Sequence, residues 1–223
     1  MKKFSLYVIS GLCADERMFQ RIHFPEYADV HFVKWEKPLT NESLENYITR
    51  LLQKFDLTKP VVLLGLSFGG VVVQEVARKI NPKGTIIISS ISSPREMPWY
   101  FRMAQRVGLY RIAPFGLLRS MSAFARRIFG ATQDDTKKLL AQYSKECDVD
   151  LLKWSVKQIL LWRGEKCPGN FFHIHGSSDR LLPLKNKNVD AVIEGGGHFM
   201  VYEQGEKIEI ILGEQLERIA QKL

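Results

Sequence analysis

The chain has 223 residues, enough for one large domain with a real core. Its 45% hydrophobic and 25% charged residues are ordinary for a globular protein, and no segment approaches the roughly 20 apolar residues that span a bilayer. The formal net charge of +8 is concentrated: residues 95–166 carry 14 Lys/Arg against 7 Asp/Glu.

Three cysteines, Cys13, Cys147 and Cys167, stand far apart with no C-x-x-C spacing. They indicate neither a disulfide framework nor a zinc site, and reduced thiols in a cytoplasmic protein are expected. Lys2 and Lys3 before an apolar run resemble the start of a signal peptide, and Cys13 resembles a lipid-anchor site. The run is too short, however, and Gly11-Leu12 lacks the small residue that cleavage before Cys13 would want.

In chain order, residues 4–9 read as a strand, followed by a Gly-containing loop and a helix near 16–23. Val30 to Val33 form a second strand. Asn41 or Ser43 caps a helix to about Phe55, with Leu44, Ile48, Leu51, Leu52 and Phe55 at helical spacing. Val61 to Leu64, rich in β-branched residues and opened by Pro60, read as a buried strand, and a helix from Val71 stops near Asn81-Pro82. Residues 84–89 give another strand. Strand–helix alternation of this kind implies a parallel sheet with right-handed crossovers. The pattern then changes: residues 95–166 hold no convincing strand but show amphipathic helices over 99–107, 116–129, 134–146 and 150–163. Strands resume at 171–175 and 191–193, and a helix closes the chain from about Gly205. The expected organisation is an α/β core, 1–94 and 167–223, interrupted by a helical insertion, 95–166.

The chemistry centres on Gly65-Leu66-Ser67-Phe68-Gly69. Here a serine occupies a tight strand-to-helix turn, with glycines permitting strained backbone and close packing. A hydroxyl nucleophile needs a base within hydrogen-bond reach, and the base needs a carboxylate to hold its tautomer. Asp179, in His175-Gly-Ser-Ser-Asp179, and His198, in Gly195-Gly-Gly-His198, each follow a late strand. In a parallel sheet those C-terminal strand ends share one edge with Ser67. Taken singly, Ser67 also fits a Gly-rich structural turn, Asp179 a cap or turn residue, and His198 a loop residue. His173 and His175 read as structural, with His175 placed to support the Asp179 loop, and His23 and His31 show no partner pattern. No metal-ligand spacing is present.

With the order Ser67, Asp179, His198, the glycine-flanked turn and the helical insertion after the fourth strand, nearly the whole chain resembles the α/β-hydrolase-fold serine hydrolases of the esterase and lipase superfamily. The resemblance implies a three-layer α/β fold of about six parallel strands, the family's first two strands being absent, with residues 95–166 as a lid. It implies Ser67, Asp179 and His198 as catalytic residues, and the N–H groups of Phe68 and Leu12 as an oxyanion hole. Ser10 stands where the family usually has histidine, which leaves a backbone donor possible but alters the loop. The implied reaction is hydrolysis of a carboxylic ester or thioester with no cofactor. C–C bond hydrolysis and cofactor-free perhydrolysis use the same three residues, and a non-catalytic ligand-binding protein on the same scaffold is the alternative of a different class. An aspartate-dependent dehalogenase is disfavoured by Ser67.

In the basic insertion, Arg102, Arg106, Arg111, Arg119, Arg126 and Arg127 alternate with aromatic residues. This fits a solvated lid face, an anionic acyl substrate or, less well, a negative membrane surface; no nucleic-acid motif accompanies it. Cys13, beside the Leu12 loop, reads as a small buried hydrophobe or as an oxidation-sensitive pocket residue.

Overall fold

A computed structural model of the chain describes residues 2–108, 127–165, 167–185 and 187–223. Six strands, β1 (Phe4–Ile9), β2 (Ala28–Val33), β3 (Val61–Leu66), β4 (Gly84–Ile88), β5 (Phe171–Gly176) and β6 (Ala191–Ile193), form one sheet in the order β2-β1-β3-β4-β5-β6. Every pairing is parallel, with Leu6 opposite Val62, Leu64 opposite Ile86 and Ile88 opposite Ile174. The strand number and direction match the sequence expectation.

The central strands are apolar on both faces because helices cover both. Leu6, Val8, Val62, Leu64, Ile86 and Ile88 pack toward Ile208, Leu212, Leu216 and Ile219 of the C-terminal helix, together with Met18 and Phe19. The alternate residues Tyr7, Ile9, Leu63 and Ile87 pack toward α1 (Leu44–Leu52) and α2 (Phe68–Ile80). This period of two is what a pleated strand imposes. Ser43, not Asn41, caps α1, its Oγ accepting the N–H of Asn46 at 3.1 Å. Asn81 ends α2 in the left-handed region at φ 48°, and Pro82 prevents continuation.

Two expectations need revision. The helix expected near 16–23 is one 3-10 turn, Glu16–Phe19, capped by Asp15; Pro25 soon redirects the chain. The closing helix runs over Gly205–Ala220 (α7), from the residue where the sequence placed its start, and a separate short helix, Met200–Glu203 (α6), precedes it, with Gln204 between them at φ −126°, ψ 39°. We number the intervening helices α3 (Trp99–Arg106), α4 (Asp134–Glu146) and α5 (Val149–Leu161). They lie where helices were expected, whereas most of the second expected helix, 116–129, falls outside the described residues together with Arg111, Arg119 and Arg126.

The second revision concerns the thiols. Cys13 and Cys147 form a disulfide, and only Cys167 is free and buried. Cys13 is therefore neither a lone hydrophobe nor a reduced thiol. The bond joins residues 134 apart, so no local spacing could announce it. Among the described residues, no helix is long and apolar enough to cross a membrane.

Candidate active site

β3 passes into α2 through Ser67 alone, whose backbone sits at φ 53°, ψ −119°. A serine holds such a conformation only where its surroundings impose it. A Cβ on Gly65 would lie 2.4 Å from the carbonyl oxygen of Gly69, and one on Gly69 would lie 2.2 Å from that of Ile9. Side chains there would push α2 away from β3 and β1, so the glycine spacing is a packing requirement. The Ser67 N–H donates to Ile88 O at 2.9 Å, and Ser90 Oγ donates to Ser67 O at 2.7 Å.

Asp179 follows β5 and His198 follows β6, and both reach Ser67. His198 Nε2 lies 2.9 Å from Ser67 Oγ, and His198 Nδ1 lies 2.8 Å from Asp179 Oδ2. The other Asp179 oxygen, Oδ1, accepts the N–H groups of Leu181 and Leu182 at 2.9 and 2.8 Å. Asp179 and His198 are each 4% exposed. Burial pushes the Asp179 carboxyl up, but the charge and hydrogen bond of His198, together with the Leu182 N–H, hold it below the usual carboxylate range. An ionised Asp179 only accepts, so the proton of the neutral imidazole is assigned to Nδ1, which leaves Nε2 free to accept from the Ser67 hydroxyl.

His175 stands directly behind Asp179. A carbonyl can only accept, so the 2.7 Å contact with Leu182 O assigns the His175 proton to Nε2. The same nitrogen is 3.5 Å from Asp179 Oδ2. Nδ1 then accepts from His173 Nε2 at 3.3 Å. Burial, reinforced by Lys187, brings His175 down to about 4; burial, His175 and Lys187 bring His173 down to about 3. Both rings are therefore neutral at physiological pH. His175 fixes Leu182, whose N–H in turn fixes Asp179, the supporting placement expected from sequence. His23 bonds Glu209 at the surface, and His31 stacks on Tyr7 with ring centroids 5.0 Å apart. Among the described residues no group of three or more His, Cys, Asp or Glu is arranged to hold a metal ion.

The loop after β1 approaches the same point. A Cβ on Gly11 would stand 3.5 Å from Ser67 Cβ. Trp35 Nε1 donates to Gly11 O at 2.9 Å, and the Trp35 ring stacks on Phe68 with centroids 5.3 Å apart. Among the described residues, the N–H groups of Leu12 and Phe68 donate to no protein acceptor. Trp35 therefore anchors the loop that carries Leu12, a role that a single tryptophan beyond an edge strand does not announce.

The chain between β4 and β5 touches both late loops. Tyr100 of α3 donates its hydroxyl to Leu181 O at 2.5 Å. Phe129 lies 5.6 Å from the His198 ring, centroid to centroid, and its carbonyl accepts the Phe199 N–H at 3.2 Å. Glu203 of α6 accepts the N–H groups of Thr132 and Gln133 at 2.6 and 3.0 Å. Beside Gly197 opens a depression of about 530 Å³ whose charged lining is Arg127, Lys137 and Arg180 against Glu203, with Lys137 also paired to Asp134 at 2.8 Å.

The sequence profile of the Alpha/beta hydrolase family matches residues 24–209. No curated protein matches the chain at significant similarity. Among solved structures, a thermophilic esterase from Thermogutta terrifontis superposes with a TM-score of 0.74 at 17% identity, covering 98% of this chain and 91% of that one. An N-acyl homoserine lactonase, AidH, complexed with N-hexanoyl homoserine lactone, gives 0.67 at 17% identity, covering 98% and 91%. The epoxide hydrolase CorEH gives 0.67 at 14%, covering 98% and 93%. At these identities the likeness is one of fold.

Proposed function

The chain belongs to the alpha/beta hydrolase family, and from that premise we propose that it is a serine hydrolase cleaving a carboxylic ester or thioester through an acyl-enzyme. The observation that carries this reading is the continuous relay from Ser67 Oγ through His198 to Asp179, with separations of 2.9 and 2.8 Å. Ser67 Oγ attacks the acyl carbon while His198 Nε2 takes its proton. Asp179, ionised and buried, holds the ring and stabilises the imidazolium. The tetrahedral oxyanion is taken by the N–H groups of Leu12 and Phe68, each donor being worth about 3 kcal/mol in such a site. His198 then protonates the leaving group. Water, activated by the same imidazole, releases the acid and restores Ser67.

Residues 95–166 act as the lid in this reading, supported by the contacts of Tyr100 with the Asp179 loop and of Phe129 with the His198 loop. The preferred substrate is anionic. Arg127, Lys137 and Arg180 around the depression beside Gly197 support this, since they place positive charge next to the loop bearing His198.

The test is labelling with a fluorophosphonate probe followed by mass mapping of the adduct. Wild-type protein should carry the adduct on Ser67, and Ser67→Ala should carry none. Folded wild-type protein that takes up no probe would remove the hydrolase reading and leave a ligand-binding protein on the same scaffold. Paired neutral and carboxylate-bearing p-nitrophenyl esters then test charge selection. Higher kcat/KM for the anionic ester, falling with salt, is expected; equal values would remove the anionic preference.

A further inference from the structure

Lys187 lies in the same β5–β6 connection as Asp179, yet its ammonium turns inward. Its side chain is 0% exposed, and Nζ donates to Ser90 O at 2.8 Å. Glu96 Oε2 is 3.8 Å from Nζ, and the Glu96 carboxylate is itself held by Ser92, from N–H at 2.7 Å and Oγ at 2.5 Å. A buried lysine is costly to a fold unless its charge is partnered. Burial pulls this one down to about 8, with Glu96 and Asp179 opposing, so it remains mostly charged at neutral pH.

What it holds is the other half of the site. Ser89, at the end of β4, has φ 47° and so sits in a conformation unfavourable for serine. The loop that follows is gripped at three points. Lys187 binds Ser90 O, Gln74 Nε2 of α2 binds Ile91 O at 2.9 Å, and Ser90 Oγ binds Ser67 O at 2.7 Å. Contact with α2 is close: a Cβ on Gly70 would lie 2.4 Å from Ser90 Oγ. One continuous path therefore runs from the loop of Asp179, through Lys187 and Ser90, to the backbone of Ser67. It is separate from the path through His198.

We propose that Lys187 is a positioning residue that ties the Asp179 loop to the Ser67 turn through Ser90, and so sets the reach between nucleophile and base. Its consequence for turnover rests on the hydrolase reading above. Its consequence for the geometry of the turn does not. Lys187 contacts no reacting atom. It acts by holding Ser90 where the Ser90 hydroxyl can fix the Ser67 carbonyl.

The test compares Lys187→Met, Ser90→Ala and the double variant, reading hydrogen exchange of the peptide spanning 64–72 and kcat and KM for p-nitrophenyl acetate. Because Lys187→Met strands the buried Glu96 carboxylate, Lys187→Met with Glu96→Gln serves as the folded equivalent if the single variant does not fold. Either lysine variant, and Ser90→Ala, should speed exchange across 64–72 while leaving β1 unchanged, and should lower kcat about 10-fold with KM within about twofold. The double variant should lose little more than either single one, because the two residues act in series. Unchanged exchange at 64–72, or losses that multiply, would overturn the proposal. If wild-type protein labels and turns over while Lys187 variants match it, only the positioning role fails. If wild-type protein is inert, the exchange measurement alone still decides whether Lys187 holds the turn.

Discussion

At the residue scale, Asp179 divides one carboxylate between the His198 ring and the backbone of its own loop. Oδ2 faces His198, while Oδ1 is occupied by the N–H groups of Leu181 and Leu182. Asp179→Asn keeps an acceptor for those amides, so the loop should remain in place and the melting temperature should move little. Its amide NH₂, however, presents a donor to His198 Nδ1 and selects the wrong tautomer. We expect kcat on an activated ester to fall about 10³–10⁴-fold, as loss of the orienting carboxylate does in such a relay. A fall of less than tenfold at unchanged stability would show that Asp179 does not orient the base. The positions of Ser67, Asp179 and His198 were legible because each follows a strand of a parallel sheet, so their common edge is a matter of topology. Lys187 and Trp35 were not legible. Each reaches a distant carbonyl, of Ser90 or of Gly11, by a hydrogen bond, and a carbonyl carries no sequence signature.

At the scale of elements, the Cys13–Cys147 disulfide joins the loop after β1 to the C-terminal end of α4. It therefore couples the loop carrying Leu12 to the helical segment between β4 and β5. The same junction is reinforced at Asp15, which binds Arg17 and accepts the Tyr143 hydroxyl of α4 at 3.1 Å. The loop closed by the bond spans 134 residues in separation. Constraint of an unfolded loop of this size is worth about 3–5 kcal/mol on chain-entropy grounds. Cys13→Ser should therefore lower the urea midpoint of the oxidised protein, and adding dithiothreitol to wild-type protein should reproduce that shift while leaving Cys13→Ser unmoved. Equal midpoints for reduced and oxidised wild-type protein would show that the bond does not constrain the unfolded chain. Helix boundaries in this segment follow apolar spacing closely. The bond between its helices and the core does not, because it joins residues 134 apart that only the folded chain brings together.

At the scale of the whole molecule, the buried titratable groups give the protein a stability profile that is asymmetric in pH. His173 and His175 are fully buried and neutral, with folded values of about 3 and about 4, against an ordinary histidine value near 6.5 in the unfolded chain. Below about pH 6.5 the unfolded chain takes up protons that the folded one refuses, so stability falls as pH drops toward those lower values. Each histidine contributes a slope of about 1.4 kcal/mol per pH unit across this window. Asp179, held below its ordinary value, extends the loss to still lower pH, since stability present above its unfolded value is lost as the carboxylate is protonated. Lys187 acts at the other end. Its folded value of about 8 lies below the ordinary 10.5, so between those limits the unfolded chain binds more protons and stability rises with pH. The urea midpoint should therefore drop steeply from pH 6.5 to 4.5, stay level from about 7 to 8, and climb modestly above 8 until other groups titrate. Lys187→Met with Glu96→Gln should remove the alkaline climb and leave the acid slope intact. A midpoint that is flat between pH 6.5 and 4.5 would mean that the two histidines are not held neutral in the fold.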